Sequence, residues 1–275
     1  MMTTWLITGA SSGLGLLMTQ TLLARGDRVV ACVRRADALS ALQAHYPSRL
    51  HVSCFDMTDS AALRREVDAA FTTSGVIERV VSNAGYGLFG AAEEVSDAQI
   101  ERQIATNLTG SIQLVRAVLP WLRAQQGGRI VQVSSEGGQV AYPNFSLYHA
   151  SKWGIEGFLE SVAQEVKPFG IDIVIAEPGP TQTGFGAGLD HATPLAVYDN
   201  TPAGEVRRGI ANGSFDIKGD AQRTVDAIIA AADAPTPPFR VPLGSLAWEH
   251  LVASLRARLA EIERQREVAY SADRD

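Results

Sequence analysis

"TWLITGASSGLG", residues 4–15, is a short apolar run that ends in a glycine-rich turn and opens onto an amphipathic stretch from about Leu14 to Arg25. A buried strand, a glycine turn and a helix start, in that order, make a phosphate site. The glycines let the backbone approach a pyrophosphate, and the unpaired N–H groups and the dipole of the helix favour its charge. The spacing is G-xxx-G-x-G rather than G-x-G-x-x-G, so the strand before the turn and the helix after it carry the reading. The competing reading is a turn that only packs a helix against a strand.

The same alternation runs outward from this stretch. "RVVACVR" (28–34), "RLHVSCFDMTD" (49–59), "IERVVSNAG" (77–85), "GRIVQVSSEGG" (128–138) and "IDIVIAEPG" (171–179) read as strands. Between them lie helical patterns: a short one in "ADALSALQAHY", then others near 60–72, 97–125 (with a break near Thr109–Gly110) and 146–167. Gly26 is placed to end the first helix. The strands are nearly continuous apolar runs, so helices must cover both faces of the sheet. That is the pattern of an α/β, doubly wound parallel sheet, a Rossmann fold.

No composition break precedes about residue 180, and the chain reads as one domain over 1–275. Within it, about 184–218 is rich in Gly, Thr, Asp and Pro and is expected to be a substrate-binding loop or lid, with a disordered excursion as the alternative. A helix near 220–233, a short strand in "FRVPLG" and a last helix near 245–267 follow. The last helix carries Leu246, Leu251, Leu255, Leu259 and Ile262 at helical spacing, with a charged face toward solvent.

The 275 residues are 46% hydrophobic and 20% charged, with a formal net charge of −6. Phosphate-backbone affinity needs clustered Lys and Arg, so nucleic acid is excluded as a partner. Cys32 and Cys54 sit in strand-like runs, which argues against a disulfide framework and for a reducing compartment. The N-terminus has no basic leader, and no apolar stretch reaches the ~18–20 residues that span a bilayer. A cytoplasmic protein with no membrane partner and no metal is expected. At the end of the second strand stand Arg34 and Arg35, with no acid before Asp37. A guanidinium suits a 2′-phosphate, whereas a carboxylate would hold a 2′-hydroxyl, so NADP(H) is favoured over NAD(H). Two solvated loop arginines are the alternative.

With "TGASSGLG" at 8–15 go Asp56, "NAG" at 83–85, Asn107, Ser135, "YHASK" at 148–152 and "PGPTQT" at 178–183. In this order they resemble the short-chain dehydrogenase/reductase family in its single-domain form. The resemblance is strong over 4–183, and in style nearest the 17β-hydroxysteroid and retinol dehydrogenase-like group. It implies catalytic roles for Asn107, Ser135, Tyr148 and Lys152, with Ser134 as a competitor for Ser135. Gly9, Ser11, Ser12, Gly13, Leu14 and Gly15 would follow the pyrophosphate. Asp56 and Met57 would meet the adenine, and Asn83, Ala84 and Gly85 the adenosine side. Pro178, Gly179, Thr181 and Thr183 would sit by the nicotinamide, and Tyr148 and Lys152 would also touch the cofactor. Asn107 would hold a water near Lys152.

The chemistry can be argued separately. A phenol is a fair acid and a poor base at neutral pH, and an ammonium one helical turn away favours its anion. Ser135 would polarise the substrate carbonyl. Around it, Tyr86, Leu88, Phe89, Val140, Tyr142, Phe145 and Phe185 make an apolar, aromatic surface, so a hydrophobic carbonyl or alcohol is the expected substrate. His149 is read as structural and Glu136 as a solvated loop carboxylate.

A cofactor sensor without turnover is the competing function class. The four filled catalytic positions argue against it, since a sensor needs no acid and no group to tune one. An epimerase would need a larger C-terminal substrate domain. The resemblance also implies a homodimer or homotetramer built on the helices near 97–125 and 148–166.

Overall fold

The computed structural model describes residues 2–214 and 217–274; positions 1 and 275 of the expected domain, and 215 and 216 of the expected lid, lie outside the described residues. The chain begins β1 (Thr4–Thr8), α1 (Gly13–Arg25), β2 (Arg28–Val33), α2 (Ser40–His45), β3 (Leu50–Cys54), α3 (Ser60–Ser74) and β4 (Arg79–Ser82). The short β5 (Leu88–Phe89), α4 (Asp97–Ile104), α5 (Gly110–Ala124), β6 (Gly128–Val133), α6 (Ser146–Val166) and β7 (Ile171–Pro178) follow. Last come β8 (Asp190–His191), α7 (Pro202–Ala211), α8 (Ala221–Asp233), β9 (Arg240–Leu243), α9 (Ser245–Glu263) and α10 (Arg266–Tyr270).

Seven strands pair in the order β3-β2-β1-β4-β6-β7-β9, all parallel. The apolar runs have a simple cause. On β1, Leu6 enters a cluster with Val30, Val80, Ile130 and the inner faces of α3, α5 and α6. Its neighbours Trp5 and Ile7 point the other way, with Val29, Val81 and Val174, against α1 and α8. Period-two alternation thus feeds two cores, one on each face of the sheet. The strand order reverses beside β1, which places its C-terminal end at the crevice where such sheets bind ligands.

Local signals hold the helices. Gly26 takes φ +103°, and its amide reaches the carbonyls of Leu22 and Leu23. Asp59 accepts from the amides of Ala61 and Ala62 at the start of α3. Ser96 and Gln99 form a capping box on α4. The expected break in the long helix is a π turn at Ala105–Thr109, directly ahead of Gly110. Gly110 is needed there because an added Cβ would fall 2.9 Å from the Met57 carbonyl oxygen.

Two expectations are corrected. The excursion after residue 184 is not wholly irregular: it contains α7, which begins at Pro202 after Thr201 and has Glu205 in its first turn. It is fastened to the body where β5 pairs with β8, where Asn144 Nδ2 donates to the Ala203 carbonyl (2.7 Å), and where Arg207 meets the buried Glu94 (2.5 Å). On α9, Ala247 and Leu251 are buried, but Leu255, Leu259 and Ile262 stand exposed. The helix runs past the body it packs on, and its apolar stripe outlasts the surface beneath it.

Candidate active site

The glycine turn joins β1 to β4. Asn83 Nδ2 donates to the Thr8 carbonyl (2.9 Å), and the amides of Asn83 and Ala84 donate to Thr8 Oγ1 (3.0 and 3.1 Å). Gly15 cannot be replaced cheaply, since its Cβ would lie 2.4 Å from the Gly9 carbonyl oxygen and 2.5 Å from Asn83 Nδ2. Gly13 instead faces open space at φ +53°. Ser12 stands at the N-cap without a side-chain cap, so the first amides of α1 keep their donors for another acceptor. An open approach over Gly13 and uncapped donors at a helix start fit a dinucleotide pyrophosphate. Leu14 is half-buried beside the turn and Ser11 exposed on it.

At the far end of this crevice, Asp56 Oδ1 accepts from the amide (2.8 Å) and hydroxyl (2.7 Å) of Thr58. Those bonds, and then the charge of Arg34, hold its carboxyl below the usual range. Arg34 is exposed at the β2 terminus, and Arg35 is also exposed, 4.0 Å from Asp37. Met57 beside Asp56 is buried in the core cluster of α3 and α5. At the opposite end, Pro178 closes β7 and Gly179 packs on Ala247. Thr181 donates to the Gly179 carbonyl (2.8 Å), and Thr183 Oγ1 accepts from the Phe185 amide (3.2 Å).

Tyr148 lies in the first turn of α6, with Lys152 one turn further on. Lys152 Nζ lies 5.6 Å from the centre of the Tyr148 ring and donates to the Val133 carbonyl at the end of β6 (3.0 Å). Ser135 lies near enough to Tyr148 to lower its pKa and accepts from the Gly137 amide (3.0 Å). The Ser134 hydroxyl turns the other way and donates to the buried Glu156 (2.5 Å), so strand alternation settles which serine faces the tyrosine. Burial pushes Tyr148 up to about 12, against Ser135, which lowers it, with Glu136 and Glu156 adding to the rise. Burial pulls Lys152 down to about 8, and Glu156 opposes that. The ammonium is expected to lower the phenol, but desolvation is the largest cause for both groups and raises the phenol.

Asn107 lies on the π turn. Its side chain accepts from the Tyr86 amide (3.1 Å) and donates to the Tyr86 carbonyl (2.8 Å) and to Ser151 (3.4 Å). It braces the segment after Gly85, whose Cβ would meet Asn107 Oδ1 at 3.2 Å. His149 is structural: Nδ1 bonds the Gly137 carbonyl (2.9 Å), and Nε2 accepts from the Tyr142 amide (3.0 Å). Burial lowers its pKa and keeps the ring neutral, as that pair of bonds requires.

The expected pocket residues separate into two groups. Phe145 and Phe185 flank Tyr148, with ring centres 6.2 and 5.7 Å away, and Phe89 packs on Phe145 (5.1 Å). Phe185 is exposed, while its ring edge and Leu189 close over Gly87, where an added Cβ would come within 2.7 and 2.5 Å of them. Tyr86 and Val140 are half-buried nearby. Leu88 lies behind this wall rather than on it: the pairing of β5 with β8 turns it into a small cluster with Val95 and Ala192.

Tyr142 belongs to a polar corner that the apolar reading lacks. Its hydroxyl donates to Glu136 (3.1 Å) and lies 2.9 Å from His250 Nδ1, which is 3.0 Å from the other Glu136 oxygen. Burial and Glu136 push the Tyr142 phenol up. Glu136 itself is 4% exposed, a correction to the solvated loop carboxylate expected there.

The family described as short chain dehydrogenase matches residues 3–193. The chain is 32% identical to oxidoreductase BOA17 of Botryotinia fuckeliana, over 96% of this chain and 97% of that one. A short-chain dehydrogenase from Streptomyces avermitilis superposes with a TM-score of 0.91 at 33% identity, covering 100% of both chains. A short chain dehydrogenase from Burkholderia cenocepacia, solved in complex with NADP, has the same fold. Its TM-score is 0.73 at 24% identity, over 99% of this chain and 98% of that one.

Proposed function

The chain belongs to the short chain dehydrogenase family and is an oxidoreductase, and on that premise we propose that it interconverts a hydrophobic carbonyl and its alcohol with NADP(H), Tyr148 serving as acid and base. The observation that carries this reading is one arrangement. Tyr148, beside Ser135 and one turn from Lys152, lies between the aromatic rings of Phe145 and Phe185.

NADP(H), when bound, supplies or accepts the hydride. Gly9 to Gly15 and the uncapped start of α1 would hold its pyrophosphate, Arg34 its 2′-phosphate, and Pro178, Gly179, Thr181 and Thr183 its nicotinamide end. Tyr148, a neutral phenol at physiological pH, gives its proton to the carbonyl oxygen. Ser135 donates to the same oxygen and orients it. Lys152, anchored on Val133, restores charge balance as the phenolate forms. The aromatic wall excludes water from the reacting oxygen.

No helix among the described residues is long and apolar enough to cross a membrane. The reading includes a cytoplasmic protein acting on a small molecule, one domain over the whole chain, and a homodimer or homotetramer. Exposed Trp153 on α6 and the leucine stripe of α9 support the assembly.

The test is NADPH consumption over a panel of ketones, aldehydes and quinones. Tyr148→Phe should lose at least about a hundredfold in kcat while binding NADPH as before. Full turnover by that variant rejects the mechanism.

A further inference from the structure

Glu156 stands on α6 one helical turn beyond Lys152 and is 2% exposed. Three segments hold it. Ser134 Oγ donates to Oε1 (2.5 Å), and Arg240 of β9 donates through Nη1 to Oε2 (2.5 Å). The same Nη1 donates to Glu177 Oε1 on β7 (2.5 Å), while Nη2 reaches Glu160 (2.6 Å). The loop after Ser135 closes on the carboxylate so tightly that a Cβ on Gly138 would fall 1.8 Å from Glu156 Oε1. A carboxylate buried this deeply is costly unless paired, and the proposed reaction gives it no task.

Resting on the reading of Lys152 above, we propose that Glu156, clamped by Arg240 and Ser134, is a positioning residue for the reaction and acts through Lys152. The lysine has few partners that could serve instead. Its Nζ faces the Tyr148 ring on its own helix and the Val133 carbonyl on β6. Ser151 and Asn107, on the adjoining turns, are neutral. Glu156 is the acid one turn on along the same buried helix face, and its anchor Ser134 adjoins the Val133 carbonyl that holds Lys152.

Arg240 in turn gives the Glu156 carboxylate its partner inside the core. Beside it, Glu177 is pushed upward by burial and by Glu156. Glu160 completes the ring of acids around the guanidinium. One arginine on an edge strand therefore ties the catalytic helix to the strand that ends at Pro178. The carboxylate it fixes supplies the field in which Lys152 holds its proton.

The sequence contains three lysines, Lys152, Lys167 and Lys218, so labelling with ε-13C-lysine gives three NMR signals in the full chain. Loss of one signal in Lys152→Met assigns it. In wild type the Lys152 signal should titrate near 8, and in Glu156→Gln about one pH unit lower or more. Glu156→Asp keeps the charge on a shorter arm and should fall between the two. Where a carbonyl substrate is turned over, the basic limb of kcat should move with the signal.

An unchanged Lys152 midpoint in Glu156→Gln overturns the inference. Should that variant not fold, a Glu156→Asp midpoint identical to wild type does the same. If wild type reduces no carbonyl but the midpoint still moves, the proposed reaction fails and the coupling of Glu156 to Lys152 stands.

Discussion

Lys152 Nζ lies 5.6 Å from the centre of the Tyr148 ring, and both groups are nearly closed to solvent. Burial drives them in opposite senses, the phenol up to about 12 and the ammonium down to about 8. Carbonyl reduction needs the phenol protonated, which holds throughout the range below about 12. It also needs the ammonium, which is lost as pH rises through about 8. Reduction should therefore be fastest below about 8 and decline above it, while alcohol oxidation, which needs the phenolate, should climb with pH. Saturating rates in both directions between pH 6 and 10 check this. A reduction rate that rises from pH 7 to 9 would contradict it.

The same burial sets stability against activity. The folded-state pKa of Lys152 is depressed, so below about 8 the ammonium is present in both folded and unfolded chains and its burial cost is fully felt. Above the ordinary value of 10.5 the lysine is neutral in both and the cost is gone. Lys152→Met should thus stabilise the protein at pH 7 by roughly 3 kcal/mol, or roughly 5 °C in Tm. The gain should fade toward pH 10, and activity should be lost. A variant less stable than wild type at pH 7 would show that the bond to Val133 outweighs desolvation.

Arg34 acts on Asp56 across the outer end of the crevice. A guanidinium at that strand end gives a 2′-phosphate a charged partner, and a carboxylate would repel it. Arg34→Asp should lower the ratio of kcat/KM for NADPH to that for NADH by about tenfold or more. An unchanged ratio would remove Arg34 from the cofactor site.

What the sequence disclosed follows the range of each interaction. The turn at Gly9–Gly15 and the Tyr148–Lys152 spacing are local, and continuous apolar residues such as Trp5, Leu6 and Ile7 announce a sheet covered on both faces. Glu136 looked solvated because its partner His250 is 114 residues away, on a helix whose docking no local pattern encodes. Arg240 and Glu156, 84 residues apart, were hidden in the same way. The helix α7 was different. Thr201, Pro202 and Glu205 are ordinary start signals, but the Gly- and Pro-rich composition around them masked the pattern.

The lid supplies the last expectation. Phe185 is exposed, yet its ring lies 5.7 Å from that of Tyr148, and Thr183 Oγ1 accepts from its amide (3.2 Å). A residue tethered this way at the proposed nicotinamide end can cover an apolar substrate without being part of the core. Phe185→Ala should raise KM for a hydrophobic carbonyl by about fivefold or more, since it removes most of an aromatic contact. The change should leave the Kd for NADPH and the Tm within error of wild type. Gly87→Val attacks the same closure from beneath, because even a Cβ there would meet Leu189 at 2.5 Å and Phe185 at 2.7 Å. It should raise the same KM with little effect on cofactor binding. Equal losses of NADPH and substrate affinity in both variants would mean that Phe185 supports the cofactor instead of covering the substrate.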